Sequence, residues 1–468
     1  MHSSDAVALT TATGLRTFAE LDDRAARVAA GLVAAGLQPG DRVLAVLANG
    51  QELIELLLGC ARCGMVLVPV NLRLSPDEII AIADDAGARA IVAATDQPYE
   101  AWLAEQHPDN VQHRPAVDDV VLQIYTSGTS GRPKGVLITY GNLAAKVPGA
   151  AEAWQFGPDA VSLLATPMFH VGGLGWALVG LHSGARTIIV GSTPPIELAE
   201  LLRRERVTHA FLVPTQLQGL CDVAGSEGFP DLRFVVYGAA PMSAATRTAV
   251  METFDCALVH VYGMTETTGT ITQHELAHDD AAIDVPCVGR PYPWVELTIR
   301  DPATCMALPA GSPGEIWTRS AQNTPGYAGD PVATQRLLTV DGWLRTGDIG
   351  YLDDEGRLFV TDRLKELIIT GGENVVPAEV ESVLREHDDI ADVAVVGLPD
   401  PRWGEVVTAV VVPRPGRTPT LDDVVAFSAD RLVGYKRPRA LHLVGELPRG
   451  MTGKVRKHAL VEELSRDN

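Results

Sequence analysis

Cysteine is scarce in this chain, with six in 468 residues. A disulfide-stapled scaffold is thereby excluded, because such scaffolds are small and cysteine-dense. Two of the six, Cys60 and Cys63, form a CxxC inside ELLLGCARCGMVLVP. Zinc would need a second ligand pair at finger or ribbon spacing, and none follows. The pair is expected as two small residues on one face of a buried helix. Long apolar runs are missing as well. The most apolar stretch, Val161 to Val190, is broken by Pro167, His170, Arg186 and several glycines, so it does not read as a membrane span. Positive charge is also in short supply. Against 59 Asp and Glu stand 38 Lys and Arg, a net charge of −21. Such a chain is a poor general binder of nucleic acid or of an anionic membrane surface. No charged-then-apolar export segment opens MHSSDAVALTTATG, so a cytoplasmic location is expected.

What is present suits a globular protein of about two or three domains. Hydrophobic residues make up 46% and charged residues 21%, an ordinary balance for a buried core. TFAELDDRAARVAAGLVAAG reads as a helix, with Thr17 and Glu20 as a capping box and Phe18, Leu21, Ala25, Val28 and Leu32 at helical spacing. DRVLAVLAN, MVLVPVN and ARAIVAA read as strands, and ELIELLLGCARCG and SPDEIIAIADDAG as the helices between them. Ser75 caps the second of these, and Pro76 takes its first position. This alternation predicts an α/β fold with much parallel sheet. The polar stretch from about Thr95 to Asp119 reads as a surface connection. Near Asp362 the pattern changes, and the last hundred or so residues read as a small α+β domain. The expected division is 1–361 and 362–468.

After the strand-like VVLQI comes YTSGTSGRPKG, a stretch too small and polar to build core. Gly128, Gly131 and Gly135 let a backbone approach a ligand closely. The hydroxyls of Thr126, Ser127, Thr129 and Ser130, with exposed N–H groups, can ring phosphate oxygens, and Lys134 adds a point charge. The spacing is not that of a Walker A loop. From composition alone, a phosphate site and a flexible polar loop remain equal alternatives.

The string as a whole resembles the phosphate loop of the adenylate-forming superfamily. PMFHVGG (Pro167–Gly173), YGAAPMS (Tyr237–Ser243), VYGMTET (Val261–Thr267), GWLRTGDIG (Gly342–Gly350), DRLKELIITGGENVVPAEVE (Asp362–Glu381) and PRGMTGKVRK (Pro448–Lys457) resemble its other blocks, in its order. The resemblance implies a large N-terminal domain of α/β subdomains and a small, mobile C-terminal one. It implies ATP as co-substrate, bound by the loop residues above with Gly238, Ala239, Ala240, His260, Tyr262, Gly263, Thr265, Asp348 and Arg363. Tyr262 would lie against the adenine, Thr265 would meet the α-phosphate, and Asp348 with Arg363 would hold the ribose. Glu266, with Thr126, would hold Mg²⁺, a hard cation content with few protein ligands. Asp362 matches the hinge. Lys454 would bridge the substrate carboxylate and the α-phosphate, two anions whose charge must be offset before they react. His170 would stand at the mouth of an acyl pocket containing Gly172, Trp176, Gln216 and Gly269. Small and neutral residues there suit an apolar acyl or aryl group. The family usually has Asn or Gln where His260 stands here.

From Arg431 to His458 eight Lys and Arg face one acid, Glu446, against the acidic trend of the chain. A solvated face is the ordinary meaning of a charge run; here the contrast suggests small anionic ligands. PDPRWGE and GYKRPR resemble the CoA-using branches, which places Gly371, Gly372, Trp403, Tyr435 and Arg437 at a coenzyme A site, with Tyr435 and Arg437 sandwiching its adenine. The expected activity is an AMP-forming carboxylate–CoA ligase acting on a small-molecule acid. Loading of a carrier protein, or an inactive homologue serving as a binding module, are the alternatives.

Overall fold

The computed structural model describes residues 3–93, 99–108, 113–126, 133–238, 242, 244–277, 287–363, 366, 368–370, 373–400, 402–449 and 455–466. The helix Phe18–Ala34 begins where the capping box predicts, with the Thr17 hydroxyl accepting from the Glu20 N–H and the Glu20 carboxylate accepting from the Thr17 N–H. Ser75 and Glu78 repeat the arrangement at the helix Pro76–Ala86. Leu21, Ala25, Val28 and Leu32 are buried, and Val28 lies against Gly59 of the helix Gln51–Cys63. A Cβ at Gly59 would come within 2.4 Å of Val28, so glycine sets the approach of the two helices. Cys60 and Cys63 are buried on that second helix, and burial pushes the Cys63 thiol up to about 11. They are packing residues. The predicted surface connection carries one short helix, Tyr99–Ala104, whose Trp102 covers Gly31.

Among the described residues the strands form three sheets, of thirteen, five and five strands. One five-stranded sheet runs Ala88–Ala93, Arg42–Val46, Val66–Pro69, Val120–Thr126, Lys134–Thr139, parallel except for the last pair. The largest sheet has a parallel half in which Val161–Leu164 lies between Arg186–Ile189 and His209–Leu212. The chain reverses its winding at that strand, and ligands of open α/β sheets sit outside the carboxyl ends of strands at such points. The other half is antiparallel, has Glu296–Arg300 at its edge, and includes the adjacent strands Leu344–Leu352 and Leu358–Arg363. Past Arg363 the chain leaves this sheet. Ile368–Thr370, Glu373–Val375, Ile390–Asp400, Gly404–Pro413 and Ala440–Leu443 form the third sheet, over its own core of Val380, Leu384, Val393, Val395, Val407 and Val424. No helix among the described residues is long and apolar enough to cross a membrane.

Candidate active site

Thr126 and Lys134 face each other across the antiparallel pair Val120–Thr126 and Lys134–Thr139, so they flank the loop between them. The Lys134 ammonium lies 4.9 Å from the centre of the Tyr327 ring. The Tyr327 hydroxyl donates to Oε1 of Glu266 at 2.8 Å. Tyr327 thus joins the phosphate-loop lysine to the expected metal carboxylate. Burial and the Glu266 charge push its pKa above the ordinary tyrosine range, which keeps the donor proton in place. Tyr327 reaches this position because its segment docks on the Lys134–Thr139 strand: Leu137 N–H donates to Gly326 O, and Ala328 N–H to Gly135 O. Nothing in the sequence reading singled it out. Its only signal is an aromatic between glycines in TPGYAGDP.

Glu266 is buried on the tight turn Thr265–Thr267. Two left-handed residues follow, Thr268 at φ 51° and Gly269 at φ 100°. Gln322 holds the turn from outside, donating to the carbonyls of Thr267 and Thr270 while its own carbonyl accepts from the Thr268 hydroxyl. Four residues before Glu266, the Tyr262 hydroxyl donates to Oδ2 of Asp348 at 2.8 Å. Asp348 stands opposite Arg363 in the sheet register. The expected adenine and ribose contacts therefore meet at one edge. His260 does not join them in the open. It is buried, stacks on Tyr237 at 4.7 Å, and its Nδ1 lies 3.1 Å from the Cys287 carbonyl. Burial lowers its pKa to about 4, so it stays neutral.

Thr268 and Gly269 also line a cavity of about 40 Å³. Gly172, Trp176 and Phe211 share its wall, and a Cβ at Gly172 would meet the Phe211 ring at 2.9 Å. His170 caps the helix Val171–His182, whose first residues line the cavity. Its imidazole is exposed, yet the surrounding protein still lowers its pKa. Gln216 is not in the wall. Both ends of its amide are engaged by backbone, accepting from Val213 N–H and donating to Ala165 O. Lys146 is in the wall, although the sequence reading passed over it. Its signal was a cation on the same helical face as Leu143 and Ala150.

The AMP-binding enzyme family matches residues 1–328, and the AMP-binding enzyme C-terminal domain matches residues 379–454. This chain belongs to that family. It is an adenylate-forming acid–thiol ligase. A fatty acid–[acyl-carrier-protein] ligase of Streptomyces coeruleorubidus is 34% identical, over 95% of this chain and 91% of the relative. A feruloyl-CoA synthase of an Amycolatopsis species is 35% identical over 94% of this chain and 92% of the relative. Among solved structures, ATP-bound MatB of Rhodopseudomonas palustris superposes with a TM-score of 0.89 at 32% identity, covering 99% of this chain and 97% of that one. Its apo form gives 0.79.

In this AMP-binding enzyme Ser127, Gly128, Thr129, Ser130, Gly131, Ala239, Ala240, Gly371, Gly372 and Lys454 lie outside the described residues, as do the side chains of Asp362 and Arg363. Gly238 is described, and a Cβ there would sit 2.7 Å from the Val261 carbonyl oxygen. Arg449 and Val455 pair as an isolated antiparallel bridge and so bracket Lys454. Lys457, just beyond, is bound to Glu366 at 3.2 Å and Glu381 at 2.9 Å. The small domain's basic run is largely matched internally. Lys436 pairs with Glu379, Arg431 with Glu386, and Arg449 with Asp392. Arg437 donates to the carbonyls of Leu432 and Ala429, and the cation over Tyr435 is Lys436. Arg402 and Arg439 both approach the Trp403 ring, at 4.9 Å and 3.8 Å from its centre.

Proposed function

We propose that this ligase converts a carboxylic acid and ATP to acyl-adenylate and pyrophosphate, and then passes the acyl group to coenzyme A with release of AMP. The observation that carries this reading is the linkage of Lys134, Tyr327 and Glu266 on one side and of Tyr262 and Asp348 on the other, beside a cavity walled by Thr268 and Gly269. The base and ribose would sit at Tyr262 and Asp348, and the phosphates between Lys134 and Glu266. The acid's carboxylate would enter past His170. Attack of that carboxylate on the α-phosphorus breaks the bond to pyrophosphate, and Lys454 would lower the repulsion between the two anions.

The donor set suits Mg²⁺. Glu266 is a buried carboxylate whose side chain has one hydrogen bond among the described residues, which leaves lone pairs for a cation. Among the described residues no cluster of three or more His, Cys, Asp or Glu forms a dedicated metal cage. Mg²⁺ typically takes one or two carboxylates and completes its shell with phosphate oxygens and water. Bound there by Glu266 and Thr126, it would neutralise phosphate charge. The division 1–361 and 362–468 fits the departure of the chain from the large sheet after Arg363, with Asp362 as the hinge.

Carrier-protein loading is the second reading, favoured by the name of the Streptomyces coeruleorubidus relative. Pyrophosphate release across fatty, aryl and dicarboxylic acids, with thioester measured on free CoA and on a carrier protein, tests both. Thioester on free CoA supports the first reading, and thioester on the carrier alone replaces it with the second. Lys454→Ala should cripple adenylate formation while sparing the conversion of preformed acyl-AMP and CoA to thioester. Equal loss in both half-reactions would reduce Lys454 to a structural role.

A further inference from the structure

Lys146 is a buried cation in the wall of the proposed acyl pocket, with 6% of its surface exposed. The residues lining that cavity include no Asp or Glu. Three aromatic rings surround the ammonium, Tyr292 at 4.4 Å, Trp154 at 5.4 Å and Trp294 at 6.0 Å. Among the described residues its hydrogen bonds go to the carbonyl and hydroxyl of Thr270, which leaves one of three donors. Burial alone lowers its pKa to about 7, which reflects how little counter-charge it has.

A second donor in the same wall has no partner. Trp154 gives its indole N–H to Gln273 and Trp294 gives its own to Gln322. The Trp176 indole N–H is buried and makes no hydrogen bond among the described residues. Buried donors without partners are costly, and each needs an explanation. Among the described lining residues, apolar apart from Thr268 and Thr270, stand a buried ammonium and a buried indole N–H, with no carboxylate. A purely apolar acyl chain would offer an acceptor neither to the third ammonium proton nor to the indole N–H.

We infer that Lys146, with Trp176, selects carboxylic acids that carry a second oxygen acceptor at the end of the acyl group remote from the reacting carboxylate. The inference rests on the acyl-pocket reading above and narrows it from an apolar group to one with a polar end. The acceptor is a carboxylate, ketone or hydroxyl oxygen. Lys146 then acts as a specificity residue and takes no part in bond making.

The test uses the full-length enzyme and acids of matched length ending in methyl, hydroxyl, ketone or carboxylate, with kcat/KM read from pyrophosphate release. Wild type should prefer at least one acceptor-ended acid over its methyl-ended match by about tenfold or more. Lys146→Met should bring that ratio down by about tenfold, to near one. Lys146→Gln keeps a neutral donor, and should retain more of the ratio on hydroxyl- and ketone-ended acids than on carboxylate-ended ones. A wild-type preference for methyl-ended acids overturns the inference, and needs no variant. So does a ratio that Lys146→Met and Lys146→Gln leave unmoved. Gly175→Leu separates this from the parent reading, because Gly175 lines the cavity and a side chain there meets nothing within 4 Å. It should raise KM for every acid. If Gly175→Leu acts and Lys146→Met does not shift the ratio, the pocket stands and the inference falls. If Gly175→Leu changes no KM, the pocket itself is misplaced.

Discussion

A phenol against a buried carboxylate does two jobs at Tyr327. It satisfies Oε1 of Glu266, and it presents a ring face to Lys134. Tyr327→Phe separates them, because the ring stays and the donor goes. A hydrogen bond to a charged group contributes about 1.5–3 kcal/mol, and a buried carboxylate stripped of it must find another partner. The variant should therefore slow acid-dependent adenylation by about ten- to hundredfold, with its dependence on Mg²⁺ concentration shifted. Pyrophosphate exchange as a function of Mg²⁺ reads this directly. An unchanged rate and Mg²⁺ profile would make Tyr327 a scaffold residue only.

At the scale of elements, the site depends on how closely two strands approach. Ala257–Met264 pairs antiparallel with Gly269–Glu275, and the turn between them carries Thr265 and Glu266. A Cβ on Gly263 would fall 2.1 Å from the carbonyl oxygen of Gly269, which is backbone and cannot swing away. Gly263→Ala must therefore pry the strands apart beside the catalytic turn. Thermal or chemical denaturation should show a loss of about 2 kcal/mol or more, and adenylation should fall with it. Gly191→Ala is the control, since its Cβ would meet nothing within 4 Å. That change should stay within about 0.5 kcal/mol of wild type.

Across the whole molecule the charge map looks different in three dimensions. The basic run reads in sequence as a patch awaiting anions, but Arg431, Lys436, Arg449 and Lys457 are paired with acids of the small domain itself. Arg437 serves the backbone carbonyls of Leu432 and Ala429. Arg402 and Arg439, both against the Trp403 ring, make a second candidate for the CoA nucleotide beside Tyr435 and Arg437. Arg439→Ala combined with Trp403→Ala should raise KM for CoA several-fold, since an exposed cation contact contributes about 1 kcal/mol or less. Arg437→Ala should instead lower the melting temperature, with little change in KM for CoA. The opposite pattern would favour the Tyr435–Arg437 site.

Sequence alone determined what is local or carried by a whole motif. Thr17 with Glu20, and Ser75 with Glu78, start their helices because a capping box needs only residues three apart. The strand–helix alternation gave the α/β class, and the ordered blocks from the phosphate loop to PRGMTGKVRK gave the family. Tertiary structure decided whatever depends on partners distant in the chain. Lys146 meets Thr270 across 124 residues, and Tyr327 meets Glu266 across 61. Neither separation leaves a periodic trace, so a cation among alanines and a tyrosine among glycines carried no sign of their roles. Gln216 reads in sequence as a pocket residue, but the fold engages both ends of its amide with backbone, and two of the Arg437 donors go to carbonyls. A side chain's chemistry is written in the sequence, but its free valence is known only after the fold has assigned its hydrogen bonds.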